Sequence, residues 1–111
     1  MVNLYYLSNE VINGKVAENK RGAYIICNDA EEVVYVGRSH ERNLKQRLKD
    51  HVNEHQDYQY FNFKYESTEK DARMLECKLY HRFGGENIKY NNEHPSLDAG
   101  EKCPYCEHIG E

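Results

Sequence analysis

Ala23-Tyr24-Ile25-Ile26-Cys27 and Val33-Val34-Tyr35-Val36-Gly37 are two runs of β-branched and aromatic residues. That composition suits strands better than helices. Between them stand Asn28, Asp29, Ala30, Glu31 and Glu32, a polar stretch of hairpin-loop length. The pairing is therefore expected to be antiparallel. Both alternating faces of each strand are largely apolar, so the hairpin should be covered on both sides.

Outward from this hairpin, helical spacing sets in after Asn43. Leu44, Leu48 and Val52 recur every four residues and form a core stripe. Arg47, His51 and His55 run beside it at the same pitch, which stacks an arginine and a histidine on one face at the margin of the buried surface. Residues 58–65 alternate around Tyr58, Tyr60, Phe61, Phe63 and Tyr65 and read as a third strand. Thr68 followed by Asp71 forms a capping box with aspartate in place of glutamate. It opens a second helix that runs to about Phe83 on Ala72, Leu75, Leu79 and Tyr80, before Gly84-Gly85 ends it. The first 21 residues offer Leu4-Tyr5-Tyr6-Leu7, readable as an extra strand or a short helix, and a turn at Asn13-Gly14. The expected fold class is α+β: a small three-stranded sheet in β-β-α-β-α order, helices packed on it, and an irregular C-terminal tail. Residues 1–21 are read as an N-terminal extension, 22–96 as the domain and 97–111 as the tail.

The 111 residues are one domain's worth of chain. Charged residues make up 31% and the mean hydropathy is −0.99, so a compact fold must carry a heavily solvated surface. No apolar run approaches the ~18 residues a membrane span needs, and the start lacks the pattern of a signal peptide. A cytoplasmic protein is expected, with its four cysteines as thiols or metal ligands. The net charge of −4 argues against a protein that coats nucleic acid. Its distribution does not: residues 38–51 hold five basic and two acidic side chains, a local +3 that leaves −7 for the rest. Arg38, Arg42, Lys45 and Lys49 are thus candidate phosphate contacts, against the alternative of an ordinary solvated helix face.

Glu76 falls inside the apolar stripe of the second helix, four residues after Ala72 and four before Tyr80. A carboxylate there is costly unless it is paired or binds a cation. Tyr24, Tyr35, Arg47, His51 and Glu76 each have a structural explanation taken singly. Together they suit phosphodiester hydrolysis, which needs a nucleophile in line, neutralised non-bridging oxygens and help for the leaving oxygen. Arginine offers a phosphate paired donors that keep their charge. Magnesium commonly takes one or two carboxylates, several waters and substrate phosphate oxygens.

Gly22-Ala23-Tyr24, ten residues, then Tyr35-Val36-Gly37 resembles the paired motif that names the GIY-YIG nucleases. Asn43-Leu44-Lys45-Gln46-Arg47-Leu48 followed by His51 is similar to that family's first-helix segment. Glu76 falls where the family has a metal-binding glutamate, and Tyr90-Asn91 where a late asparagine closes the site. The likeness covers roughly residues 21–96. It implies a metal-dependent endonuclease in which Tyr24 is general base or positions water and Tyr35 supports the phosphate or nucleophile. Arg47 would stabilise the scissile phosphate, with His51 assisting. Glu76 would bind one magnesium or manganese ion, and Asn91 would order the site. Gly37 would let the backbone pass close to the active centre. Ala23 replaces the usual branched residue, and the segment from Gly37 to Arg47 is longer than the family's, which displaces the expected helix start. DNA is the implied substrate, branched or single-stranded forms included, and a homodimer or protein partner would supply targeting.

Cys103-x-x-Cys106 with His108 is half of a zinc-ribbon pattern. Cys27, Cys77, His94, His55 or a second copy of the tail could complete it, and a frayed tail with two thiols is the alternative. Beside the nuclease stand two further readings: a catalytically silent nucleic-acid-binding module of the same fold, and a zinc-stabilised interaction protein. The nuclease reading requires the phenols of Tyr24 and Tyr35, the guanidinium of Arg47 and the carboxylate of Glu76 to meet at one solvent-open hollow with room for an ion.

Overall fold

The computed structural model describes residues 3–91, 94, 95 and 103. The hairpin forms as expected: β2 (Gly22–Cys27) pairs antiparallel with β3 (Val33–Arg38). Its loop is tied by Asn28, whose Oδ1 accepts from the backbone of Ala30 at 3.0 Å and Glu32 at 2.9 Å. On the other side β2 pairs antiparallel with β4 (Tyr60–Tyr65). Here the expectation of three strands is corrected. The short β1 (Tyr5–Tyr6) pairs with β4 through Tyr5↔Phe61 and Tyr6↔Tyr60, giving a four-stranded sheet in the order β1-β4-β2-β3. Two residues are too few to show a period-2 pattern against a helical one.

All six residues of β2 are buried, because both faces of the sheet are covered. Tyr24 and Ile26 face a core with Ile12 and Val16 from the chain around α1 (Asn9–Lys15), and with Leu44 and Leu48 from α2 (Leu44–Asp50). Ile25 and Cys27 alternate to the opposite face and join Val36, Ile88 and Tyr80 of α3 (Glu69–Arg82). The Thr68 hydroxyl caps α3 by accepting from Asp71 N at 3.1 Å, and Gly84 and Gly85 leave the helix at φ +121° and +59°. No helix among the described residues is long and apolar enough to cross a membrane.

β3 is the edge strand of the described sheet, and its outer side is closed by the chain after α3. Tyr90 N donates to Val34 O at 3.0 Å. Asn91 then brackets Val36, accepting from its N–H at 2.7 Å and donating to its carbonyl at 2.9 Å. The side-chain amide acts as one rung of a missing strand. Asn91 thus holds the outer side of β3 through both of its amide atoms.

Candidate active site

The end of β3 gathers the site. Alternation puts Tyr35 and Gly37 on the α2 side of the strand, and Val36 and Arg38 on the α3 side. A polar hollow of about 240 Å³ draws on both, lined by Tyr35, Arg38, His40, Arg47, Glu76, His94 and Pro95. Tyr35, Arg47 and Glu76 thus share one opening. Tyr24 lies behind it, fully buried.

Gly37 is what lets the two phenols pack there. A Cβ at Gly37 would sit 2.6 Å from both Cζ and the hydroxyl of Tyr24, and 2.8 Å from Cε2 of Tyr35. Neither ring can yield, since Tyr24 is enclosed on every side and pairs across the strand with Gly37 itself. Gly37→Ala is expected to cost about 1–3 kcal/mol of stability, read as an earlier midpoint in urea unfolding. The fraction that folds should also lose activity, because Tyr24 must move off its partner.

That partner is His51. The Tyr24 hydroxyl lies 2.7 Å from His51 Nε2, and His51 Nδ1 lies 2.8 Å from Glu54 Oε1. A carboxylate only accepts, so Nδ1 carries the proton and donates to Glu54. Burial holds the His51 pKa below its ordinary value, opposed by the Glu54 bond, and the ring is neutral at pH 7. Nε2 then accepts from the Tyr24 O–H. Burial also pushes the Tyr24 phenol well up, reinforced by Tyr35 and opposed by Arg47. Tyr24 as it stands is a neutral hydroxyl aimed at a neutral imidazole. Glu54 was not singled out from the sequence. Its signal was a carboxylate three residues after His51, on the turn beyond α2.

Arg47 brings its guanidinium to the hollow with Nε enclosed and lacking a hydrogen-bond partner among the described residues. Its Asp50 neighbour is 3.9 Å away, too far for a hydrogen bond. An enclosed donor of this kind is satisfied by an incoming acceptor oxygen.

Glu76 is buried, as its place in the stripe implied, and is paired: Arg38 Nη1 donates to its Oε1 at 2.5 Å. Strand parity turns Arg38, a candidate phosphate contact, toward α3, where it lines the hollow beside Glu76. Glu76 accepts no other hydrogen bond among the described residues. Burial pushes its pKa up, while Arg38 and then His94 pull it down. One carboxylate oxygen is thus engaged and the other is not. The hollow beside it has room for a hydrated divalent ion, so the residues present fit one magnesium or manganese ion held by Glu76.

Of the remaining basic residues, Lys45 turns to α1, where Nζ meets Glu18 at 3.3 Å and Asn13 O at 3.4 Å. Arg42 is exposed and shares a polar hollow with Lys20, Arg21 and Glu66. Lys49 is half-buried near the end of α2. In the tail, Cys103 comes beside Cys77 and His94. Cys106 and His108 lie outside the described residues. Cys27, another candidate ligand, is enclosed in the α3-side core with its thiol pushed up to about 11 by burial. His55 stacks on Tyr90 with ring centres 4.1 Å apart.

A small antiparallel sheet thus brings one tyrosine, an arginine and a buried glutamate to one opening, with the second tyrosine sealed behind it. Residues 20–86 match the GIY-YIG catalytic domain, and the chain belongs to the GIY-YIG nuclease family. It is also similar to UvrABC system protein C of Methanosphaera stadtmanae, at 30% identity over 100 residues, covering 79% of this chain and 15% of that protein. The chain thus spans about 15% of the length of that relative.

Proposed function

We propose that the chain is a metal-dependent endonuclease that hydrolyses phosphodiester bonds of DNA. The observation that carries this is the convergence of Tyr35, Arg47 and Glu76 on one polar hollow, with the Tyr24–His51–Glu54 chain directly behind. When bound, a magnesium or manganese ion on Glu76 would supply charge neutralisation at the non-bridging oxygens. The protein's own groups do the rest. Arg47 places paired N–H donors against the phosphate and holds it as charge builds in the transition state. Tyr35, at the wall, meets the attacking water. The water gives a proton to the Tyr35 hydroxyl oxygen as Tyr35 passes its own proton to Tyr24, and Tyr24, sealed from solvent, gives its hydroxyl proton to His51 Nε2. Glu54 then stabilises the imidazolium. Arg42 and Lys49 supply cations for the flanking backbone, while Lys45 is partly neutralised by Glu18.

The test is supercoiled plasmid incubated with magnesium or manganese, with and without chelator, and extended to branched and single-stranded DNA. Metal-dependent nicking is expected. Arg47→Ala should lower the rate by about 10²–10³-fold, the loss typical of one transition-state donor. Its side chain is partly exposed and only loosely paired, so the fold should persist. DNA binding without any cutting, under every metal tested, would leave a silent binding module in place of the enzyme. Targeting is proposed to come from a homodimer or a protein partner.

A further inference from the structure

Three side chains that the proposed cleavage does not use meet beside the hollow. The ligand atoms of Cys77 on α3, His94 and Cys103 all lie within 4.8 Å of one another. In a tetrahedral zinc centre, bonds of about 2.0–2.3 Å put ligand atoms roughly 3.3–3.8 Å apart. The trio is within about an ångström of that geometry. Cys77 is fully buried and Cys103 nearly so, while His94 is half-buried at the wall of the hollow.

The histidine is already oriented for the role. His94 Nδ1 donates to the Pro95 carbonyl at 2.8 Å, which fixes the proton on Nδ1 and puts the basic lone pair on Nε2. The Tyr80 and His81 rings pack against it at 5.4 and 5.2 Å between centres and limit its rotation. Cys103 also opens the Cys-x-x-Cys spacing of zinc half-sites.

We propose that Cys77, His94 and Cys103 bind a structural zinc ion. Two thiolates and an imidazole select zinc over magnesium or calcium, which want oxygen. Binding releases the thiol protons to solvent. The consequence for the nuclease is positional. Cys77 follows Glu76 on α3, and His94 lines the same hollow as Glu76. Zinc would therefore anchor the chain beyond Asn91 to the helix that carries the metal-binding carboxylate, and set one wall of the site.

The test needs no nuclease activity. The full chain, purified without a histidine tag, is assayed for zinc by elemental mass spectrometry and titrated with cobalt. About one zinc per chain is expected, together with thiolate-to-cobalt charge-transfer absorption. Cys103→Ser and Cys77→Ser should each lose the zinc. Glu76→Gln should keep it, which separates this site from the cleavage site. Cys103 belongs to no helix or strand, so circular dichroism should show Cys103→Ser folded even where Cys77→Ser, on α3, is not. Zinc retained by both serine variants, zinc lost only in Glu76→Gln, or no cobalt absorption in the wild-type chain would each overturn the site.

Discussion

Glu76→Gln is expected to reduce metal-supported cleavage by on the order of 10³-fold while leaving the fold intact. The two halves of that expectation come from different features of one side chain. Activity depends on the carboxylate as an anionic oxygen ligand, which an amide replaces poorly for a hard cation. Folding depends on the same carboxylate as the partner of Arg38 under the sheet. Glutamine keeps an oxygen that can accept from Arg38 Nη1. It also removes an ionised group whose burial raises its pKa, so the charged form is the disfavoured one at that site. These effects oppose, and the thermal midpoint should stay close to wild type. Glu76→Ala is the weaker experiment. It takes the acceptor away from a buried guanidinium, a change that typically costs 3–5 kcal/mol (order of magnitude) and confuses lost chemistry with lost structure. If Glu76→Gln nicks plasmid at nearly the wild-type rate, Glu76 is only a counter-ion for Arg38, and the site has no metal ligand on α3.

Much of this arrangement could be read from residue patterns, and what could not has definite causes. The β2–β3 hairpin was legible because two apolar runs flank a loop rich in turn-forming residues. Glu76 was legible because a carboxylate four residues from both Ala72 and Tyr80 contradicts an apolar stripe. Arg38 was assigned to the cationic patch because charge was counted along the chain. Parity within β3 places it with Val36 on the α3 face, where it pairs with Glu76 at the hollow. β1 went unresolved as strand or helix because a two-residue strand is defined by its partner β4, not by its own sequence. Glu54 escaped notice because α2 ends at Asp50. The chain then turns through Asn53 at φ +65°, so helical spacing could not project Glu54 onto His51. The Cys77–His94–Cys103 cluster was legible as residue types but not as a set, since its members come from a helix and two separate stretches of the chain.

His51→Ala is expected to cost about 10²–10⁴-fold in cleavage rate, the range for a positioned acid–base group. Tyr24→Phe should cost a similar factor, because either change breaks the same 2.7 Å link. Combining them should add little, since each alone interrupts one proton path. Glu54→Gln distinguishes a path from simple packing through the pH profile. Neutral His51 accepts from Tyr24 and protonated His51 cannot, so activity should fall on the acid side as His51 takes up a proton. Burial already holds the His51 pKa below 6.5, and the bond to Glu54 pulls it back upward. Removing that carboxylate lowers the pKa further, so the acid limb should move to lower pH. The plateau rate should drop at the same time, because the imidazolium formed during turnover loses its counter-charge. An unmoved acid limb in Glu54→Gln would mean that Glu54 merely steadies the ring. A wild-type rate in Tyr24→Phe would remove the buried phenol from the proton path altogether.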